Sequence, residues 1–152
     1  HPWLATSYHN LAVSERNLGN FSEAKRLHNI SITMKEKIYE LEHPELATSY
    51  NNLATVEQDL GNFLEAKSLL KHAIEIREKI YGSSHPLLAR SYNNLGNVER
   101  DLGNFTEAKK LYIRALKIAE KQYPQGHYNL KQFYSNLESL EVKIKEKKTQ
   151  KF

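Results

Sequence analysis

The sequence predicts an all-α fold: a right-handed α-α superhelix, or solenoid, of three helical hairpins followed by a C-terminal capping helix. Three observations carry this expectation. One phrase recurs, as "HPWLATSYHNLAVSERNLGNFSEAK" from His1, "HPELATSYNNLATVEQDLGNFLEAK" from His43 and "HPLLARSYNNLGNVERDLGNFTEAK" from His85, with a shortened copy, "HYNLKQFYSNLESLEVK", from His127. The starts lie 42 residues apart each time, and an ungapped period of this length marks a repeat array. Within each copy the apolar residues recur at three- and four-residue steps, the signature of helices buried along one face. Finally, four prolines and six glycines in 152 residues leave long helices unobstructed.

Each element follows from local chemistry. Pro2, Pro44 and Pro86 stand near a first helical position, where the missing N–H costs nothing. In the third copy Leu88, Tyr92, Leu95 and Leu102 form the apolar stripe of a helix A. Gly103 then stops it, because glycine readily takes the left-handed conformation that caps a helix C-terminus. Asn104 and Phe105 make the turn, and helix B follows with Ala108, Leu111, Tyr112, Ala115 and Leu116 on one side. This logic places helices at 3–18, 21–41, 44–60, 63–81, 86–102, 105–122 and 128–147. The predicted units are a repeat at 1–42, a second at 43–84, a third at 85–126, a capping helix at 127–148 and a basic tail at 149–152.

A hairpin of this size cannot bury its apolar face alone, whereas stacked neighbours can. Ala12, Ala54 and Gly96 on the A helices, and Ala24, Ala66 and Ala108 on the B helices, are small enough for close helix approach. Leu130, Tyr134, Leu137 and Ile144 are expected to cover the third repeat. No equivalent residues cover the first helix, so Trp3 is expected to be exposed, and Trp3, Leu4 and Leu11 form a candidate self-association surface. This uncapped face, and a first residue that is not Met, are expected of a segment cut from a longer array.

Composition narrows the function. No apolar run approaches the ~18 residues needed to span a membrane. The chain has no cysteine, which excludes disulfides, thiolate metal sites and a cysteine nucleophile and suits the cytoplasm. The net charge of +4 comes wholly from the C-terminal "VKIKEKKTQKF", since residues 1–141 carry 17 basic and 17 acidic side chains. So localised a charge argues against nucleic acid as the partner, because a nucleic-acid-binding domain carries a basic face.

The phrases also resemble a known family. The tetratricopeptide repeat has the pattern W-x2-L-G-x2-Y, then A-x3-F, across two helices. The third copy supplies Tyr92-x2-Leu95-Gly96-x2-Glu99, then Ala108-x3-Tyr112. The usual unit is about 34 residues long. This one has 42, and with phrases such as "AIEIREKIYGSSHPLLARSYNNLG" it closely resembles tetratricopeptide repeats of the kinesin light chain type. One departure recurs: Glu15, Glu57, Glu99 and Glu141 replace the usual aromatic after the Leu-Gly pair. A carboxylate in a packed stripe needs a partner, either a tyrosine hydroxyl (Tyr50, Tyr92 or Tyr134) or a nearby lysine or arginine.

The resemblance implies that helix A lines a concave peptide-binding groove. On a helical wheel Arg90, Asn93, Asn94, Asn97 and Arg100 fall opposite the apolar stripe, with Asn10 and Arg16 in the first repeat, Asn51, Asn52 and Thr55 in the second, and Asn136 in the capping helix. The groove is thus expected to be polar and rich in amides. An asparagine amide both donates and accepts, which suits the backbone of an extended peptide, and the resemblance gives the column Asn10, Asn52, Asn94 and Asn136 that role. The same column can also bond from one A helix to the next. Arg16, Arg90 and Arg100, opposed by Asp59 and Asp101, are the candidates for side-chain selectivity. Lysine is absent from this face in the first three repeats, which argues against a clamp for C-terminal carboxylates.

Nothing in the sequence points to catalysis, a cofactor or a metal. His1, His43, His85 and His127 recur one per repeat, too far apart to share an ion at metal–ligand distances of ~2 Å, and read as turn residues. There is no Ser-His-Asp set, no phosphate-binding glycine loop and no H-E-x-x-H. The sequence therefore predicts a protein-interaction module, with a self-associating scaffold as the alternative and no small-molecule substrate.

Overall fold

A computed structural model describes residues 1–150, and within them it shows seven α-helices and no strand. They are α1 (Pro2–Asn17), α2 (Phe21–Ile38), α3 (Pro44–Asp59), α4 (Phe63–Tyr81), α5 (Pro86–Asp101), α6 (Phe105–Gln122) and α7 (Tyr128–Thr149). The predicted starts hold to within one residue. The largest discrepancy is the end of α2, which stops at Ile38 because the chain turns extended at Tyr39. Residues 151 and 152 of the predicted tail lie outside the described residues. The chain forms two compact units, His1–Ile80 and Tyr81–Phe152.

The A helices α1, α3 and α5 each have proline at their start. The histidine before it does more than turn the chain. At His43, His85 and His127 the backbone is extended, and the ring Nδ1 accepts the N–H two residues on, at 3.1 to 3.2 Å. The histidine is thus the side-chain cap for an otherwise orphaned helix donor. Its ring is held by stacking on the tyrosine four residues earlier: Tyr39 at 4.0 Å, Tyr81 at 4.2 Å and Tyr123 at 4.5 Å between centroids.

The Gly-Asn-Phe turns close the hairpins as expected, with φ near +80° at Gly19, Gly61 and Gly103. The asparagine that follows makes two bonds to a glutamate five residues back. Asn62 gives its backbone N–H to the Glu57 carbonyl (2.8 Å) and its side-chain amide to the Glu57 carboxylate (2.7 Å). Asn20 with Glu15, and Asn104 with Glu99, repeat the arrangement.

In the first unit, Ile32 of α2, Leu46, Ala47, Tyr50 and Leu53 of α3, and Ala73 and Ile76 of α4 form one core, with Tyr39 and Leu69 at its edge. Two cations are buried beside it. The Lys35 ammonium donates to Ser49 Oγ (2.9 Å) and approaches Glu45 (3.3 Å), and the Arg77 guanidinium reaches Thr48 Oγ1 (3.3 Å).

In the second unit α5 and α6 pack so closely that a Cβ added to Gly96 would meet the Tyr112 ring at 2.6 Å. The small residue expected at this position is therefore required by the aromatic opposite it. Helix α7 covers α6: Leu140 is fully buried against Ala108 and Tyr112, with Phe105, Leu137 and Ile144 around them. One expected capping residue differs. Tyr134 is 42% exposed and donates its hydroxyl to Glu120, while Phe133 takes the buried position.

Candidate functional site

The glutamate column resolves first, because it decides which residues are left to face a partner. Glu57 is 2% exposed, and its second carboxylate oxygen lies 2.9 Å from Lys25 Nζ. Glu141 meets Lys109 at 3.5 Å in the same register. The partners are thus a lysine one turn into helix B and the asparagine of the turn. Two of the tyrosine hydroxyls offered as alternatives go elsewhere: Tyr50 to Glu36 at 2.9 Å, and Tyr134 to Glu120. A signal for the lysine was present, since "EAK" follows every Gly-Asn-Phe turn at Lys25, Lys67 and Lys109.

The expected peptide-facing residues divide by environment. In the first unit Asn10 is exposed, whereas Asn52 and Thr55 are half-buried. Asn51 is buried at 3% exposure and does not line an open surface. The helical wheel treats half the circumference as free, but packing on α2 and against α1 buries a wider arc of α3. Thr55 donates to the Asn51 carbonyl (3.1 Å). Asn52 Nδ2 lies 3.4 Å from His9 Nε2, a bridge from α3 to α1. Arg16 is held against Asp59, with Nε 2.5 Å from Oδ2.

Beneath this face lies a polar cluster that sequence reasoning did not single out. His28 of α2 is 1% exposed and meets the His9 ring edge-on at 5.3 Å between centroids. The Nδ1 atoms of both rings and the Asn51 Oδ1 are buried without a protein partner. Burial pushes the His28 imidazole down to about 4, helped by His9, Lys35 and Arg16. His9 is also lowered, by burial and then Lys35, against a pull from Glu45.

In the second unit the A helices frame a cleft of about 460 Å³ lined by Arg90, Asn93 and Asn94 of α5 and by Asn129, Gln132 and Phe133 of α7, with Tyr123 and Tyr128 at its edge. Arg90 is exposed and Asn94 half-buried. Asn93 is buried at 5% exposure and accepts a bond from Asn136 Nδ2 (3.1 Å), again between neighbouring A helices. Asn97 accepts the Tyr112 hydroxyl (2.6 Å), and Arg100 pairs with Asp101 (3.2 Å). Among the described residues no group of three His, Asp or Glu side chains is placed to hold a metal, and no helix is long and apolar enough to cross a membrane.

Capped helical hairpins with a polar, amide-rich A-helix surface define a repeat-type interaction module. The tetratricopeptide repeat profile matches residues 3–78 and 45–121. The chain belongs to the tetratricopeptide repeat family, and its repeats are of the kinesin light chain-like type. It is similar to BtubC (BKLC) from P. vanneervenii, at 25% identity and a TM-score of 0.82, covering 92% of this chain and 56% of that one. It is similar also to the kinesin light chain-type protein of Podosopora anserina with nearly identical TPR-like repeats, at 27% identity and a TM-score of 0.85, covering 92% of this chain and 66% of that one. The Sgt2 TPR domain from Aspergillus fumigatus shares the fold at 14% identity, with a TM-score of 0.69 and coverage of 95% and 82%. Among curated proteins none matches the chain. Tetratricopeptide repeats mediate protein–protein interaction, and that is the class of function the family gives this chain.

Proposed function

We propose that the chain is a non-catalytic binding module whose A-helix faces take an extended peptide, with asparagine amides pairing to the peptide backbone. The supporting observation is the cleft on the second unit, where Arg90, Asn94 and Gln132 converge beside two tyrosines. Buried or half-buried amides placed along a cleft satisfy the N–H and C=O groups that an extended chain would otherwise leave unpaired. Asn10 is exposed and Asn94 is half-buried along the cleft, which leaves their amides for a peptide backbone. Asn52 and Asn136 serve the packing of the A helices as well. Arg90 gives the cleft a free cation for an acidic or carbonyl-rich peptide position, while Arg16 and Arg100 are engaged by aspartates and set the local electrostatics.

The test is selection of peptides on the intact chain from a random library, followed by titration of the selected peptides against Asn94→Ala and Arg90→Ala. Each substitution is expected to weaken binding by about five- to tenfold, equivalent to one hydrogen bond of about 1–1.5 kcal/mol. Peptides that bind both variants as tightly as the parent would place the site elsewhere.

A second reading rests on the first unit. Trp3, Leu11 and Leu18 are 64%, 48% and 74% exposed. The α3 residue equivalent to Leu11, Leu53, is 5% exposed. This face suits self-association, and light scattering that rises with concentration in the parent chain but not in a Trp3→Ser/Leu11→Ser variant would support it.

A further inference from the structure

Helix α7 does not stop where the other A helices stop. Helices α1, α3 and α5 each run 16 residues and end before a glycine, whereas α7 runs 22 residues. Lys145 stands at the register of Gly19, Gly61 and Gly103, so no left-handed cap forms and the helix continues. The extra turns bring Ile144, Lys147 and Lys148 alongside the start of α6. Between them and α6 lies a cleft of about 880 Å³. Phe105, Ile113 and Ile144 supply its apolar surface. Lys110, Lys147 and Lys148 are exposed around it, and Lys147 Nζ sits over the Phe105 ring at 5.2 Å. Lys109 also lines it, partly neutralised by Glu141.

From this geometry we infer that the α6–α7 cleft docks an acidic peptide segment of a partner protein, one that places apolar side chains among its Asp and Glu residues. Four lysines face a single lining acid, Glu107, and residues 1–141 are otherwise balanced in charge, so the positive potential is concentrated here. The cations are all lysines, which act as compact point charges rather than planar forks. They fit a run of carboxylates better than one fixed phosphate. The apolar floor rewards aliphatic or aromatic anchors, which a polyphosphate backbone does not offer. The volume lies in the range of ordinary ligand clefts, about 300–1,000 Å³, enough for a short segment. The site is separate from the A-helix face: in α7 the residues used are Ile144, Lys147 and Lys148, whereas Asn136 turns to α5.

The experiment is fluorescence anisotropy on the intact chain with a labelled octapeptide, Glu-Glu-Leu-Glu-Phe-Asp-Glu-Glu. An all-glutamate octapeptide and an oligothymidylate of equal length are the competitors. The mixed peptide is expected to bind most tightly, to weaken about tenfold or more in K147E/K148E through loss and reversal of the attracting charge, and to weaken several-fold in Ile144→Ser. A charge-matched K37E/K71E variant, altered on exposed lysines of the first unit, is expected to bind as the parent does. Helicity measured by circular dichroism shows whether Ile144→Ser retains α7; K147E/K148E alters only exposed side chains and carries the test alone if it does not. Unchanged binding in K147E/K148E would overturn the inference. So would competitors that match the mixed peptide, which would make the cleft a generic polycation or a nucleic-acid contact.

Discussion

Acidification is expected to destabilise the first unit through one buried side chain. His28 is 1% exposed, and its imidazole is pushed from 6.5 down to about 4, first by burial and then by His9, Lys35 and Arg16. The groups around it are His9 and Arg16 on α1, Lys35 on α2 and Glu45 on α3. All the charged groups that act on His28 lower it, and Glu45 pulls upward only on His9. Because the folded value is depressed, the unfolded chain binds the extra proton between the two values. The stability is therefore fully present above about pH 6.5 and is lost as pH falls towards about 4. A gap of about 2.5 in pKa at about 1.4 kcal/mol each gives a total of about 3.5 kcal/mol. Roughly 0.8 kcal/mol of it is lost by about pH 6 and roughly 2 kcal/mol by about pH 5. Urea denaturation followed by circular dichroism at these pH values measures it. Carboxylates titrate at the acid end too, so the quantity to read is the difference between the parent and His28→Leu. Leucine fits because Leu70 holds the equivalent position in the second repeat and is 1% exposed. The variant is expected to lose about 2 kcal/mol less than the parent between about pH 7.5 and about pH 5. Equal losses in both proteins would refute the argument.

Three further outcomes follow from the packing. Gly96→Ala is expected to destabilise the chain by about 1–3 kcal/mol through overpacking against Tyr112, although alanine is the better helix former by about 1 kcal/mol; thermal melts should show Tyr112→Leu restoring most of the loss in the double variant. Glu57→Gln leaves Lys25 without its buried counter-charge and is expected to cost about 1–2 kcal/mol, whereas Glu15→Gln, at a half-exposed site, is expected to cost less than about 0.5 kcal/mol; urea midpoints compare them. His85→Ala removes the cap of α5 and is expected to cost about 1 kcal/mol, with His85→Asn recovering most of it; hydrogen exchange at the Leu87 and Leu88 amides reads the effect directly.

Much of the fold was legible because its determinants are local. A proline at the first helical position, a glycine at the C-terminal cap and a three-to-four apolar step each act within a few residues, and a 42-residue repeat states them three times. The candidate site was less legible. Asn51 and Asn93 share a helical face with Asn52 and Asn94, yet they are buried, because the width of the buried arc depends on what flanks the helix. Tyr134, expected in the cap, is exposed and Phe133 is buried in its place for the same reason. The Lys25–Glu57 pair joins helices from different repeats, and only the stacking geometry selects it from several nearby cations. The His9–His28 pair escapes periodic reasoning altogether, since neither histidine has a counterpart in the later repeats.

The contact between Gly96 and Tyr112 also bears on how a nearly repetitive chain finds its own pairing. Three similar A helices and three similar B helices offer many wrong hairpins during folding, and repeat proteins are prone to such misassembly. Alanine stands at the Gly96 position in the other two, at Ala12 and Ala54. With the closest ring atom only 2.6 Å from where a Cβ would sit, α6 cannot dock on α1 or α3 in this register without displacing its tyrosine. One missing methyl group thus acts as a key that assigns α6 to α5 and penalises swapped or slipped pairings, a task that sequence similarity between the repeats would otherwise leave to chain proximity alone.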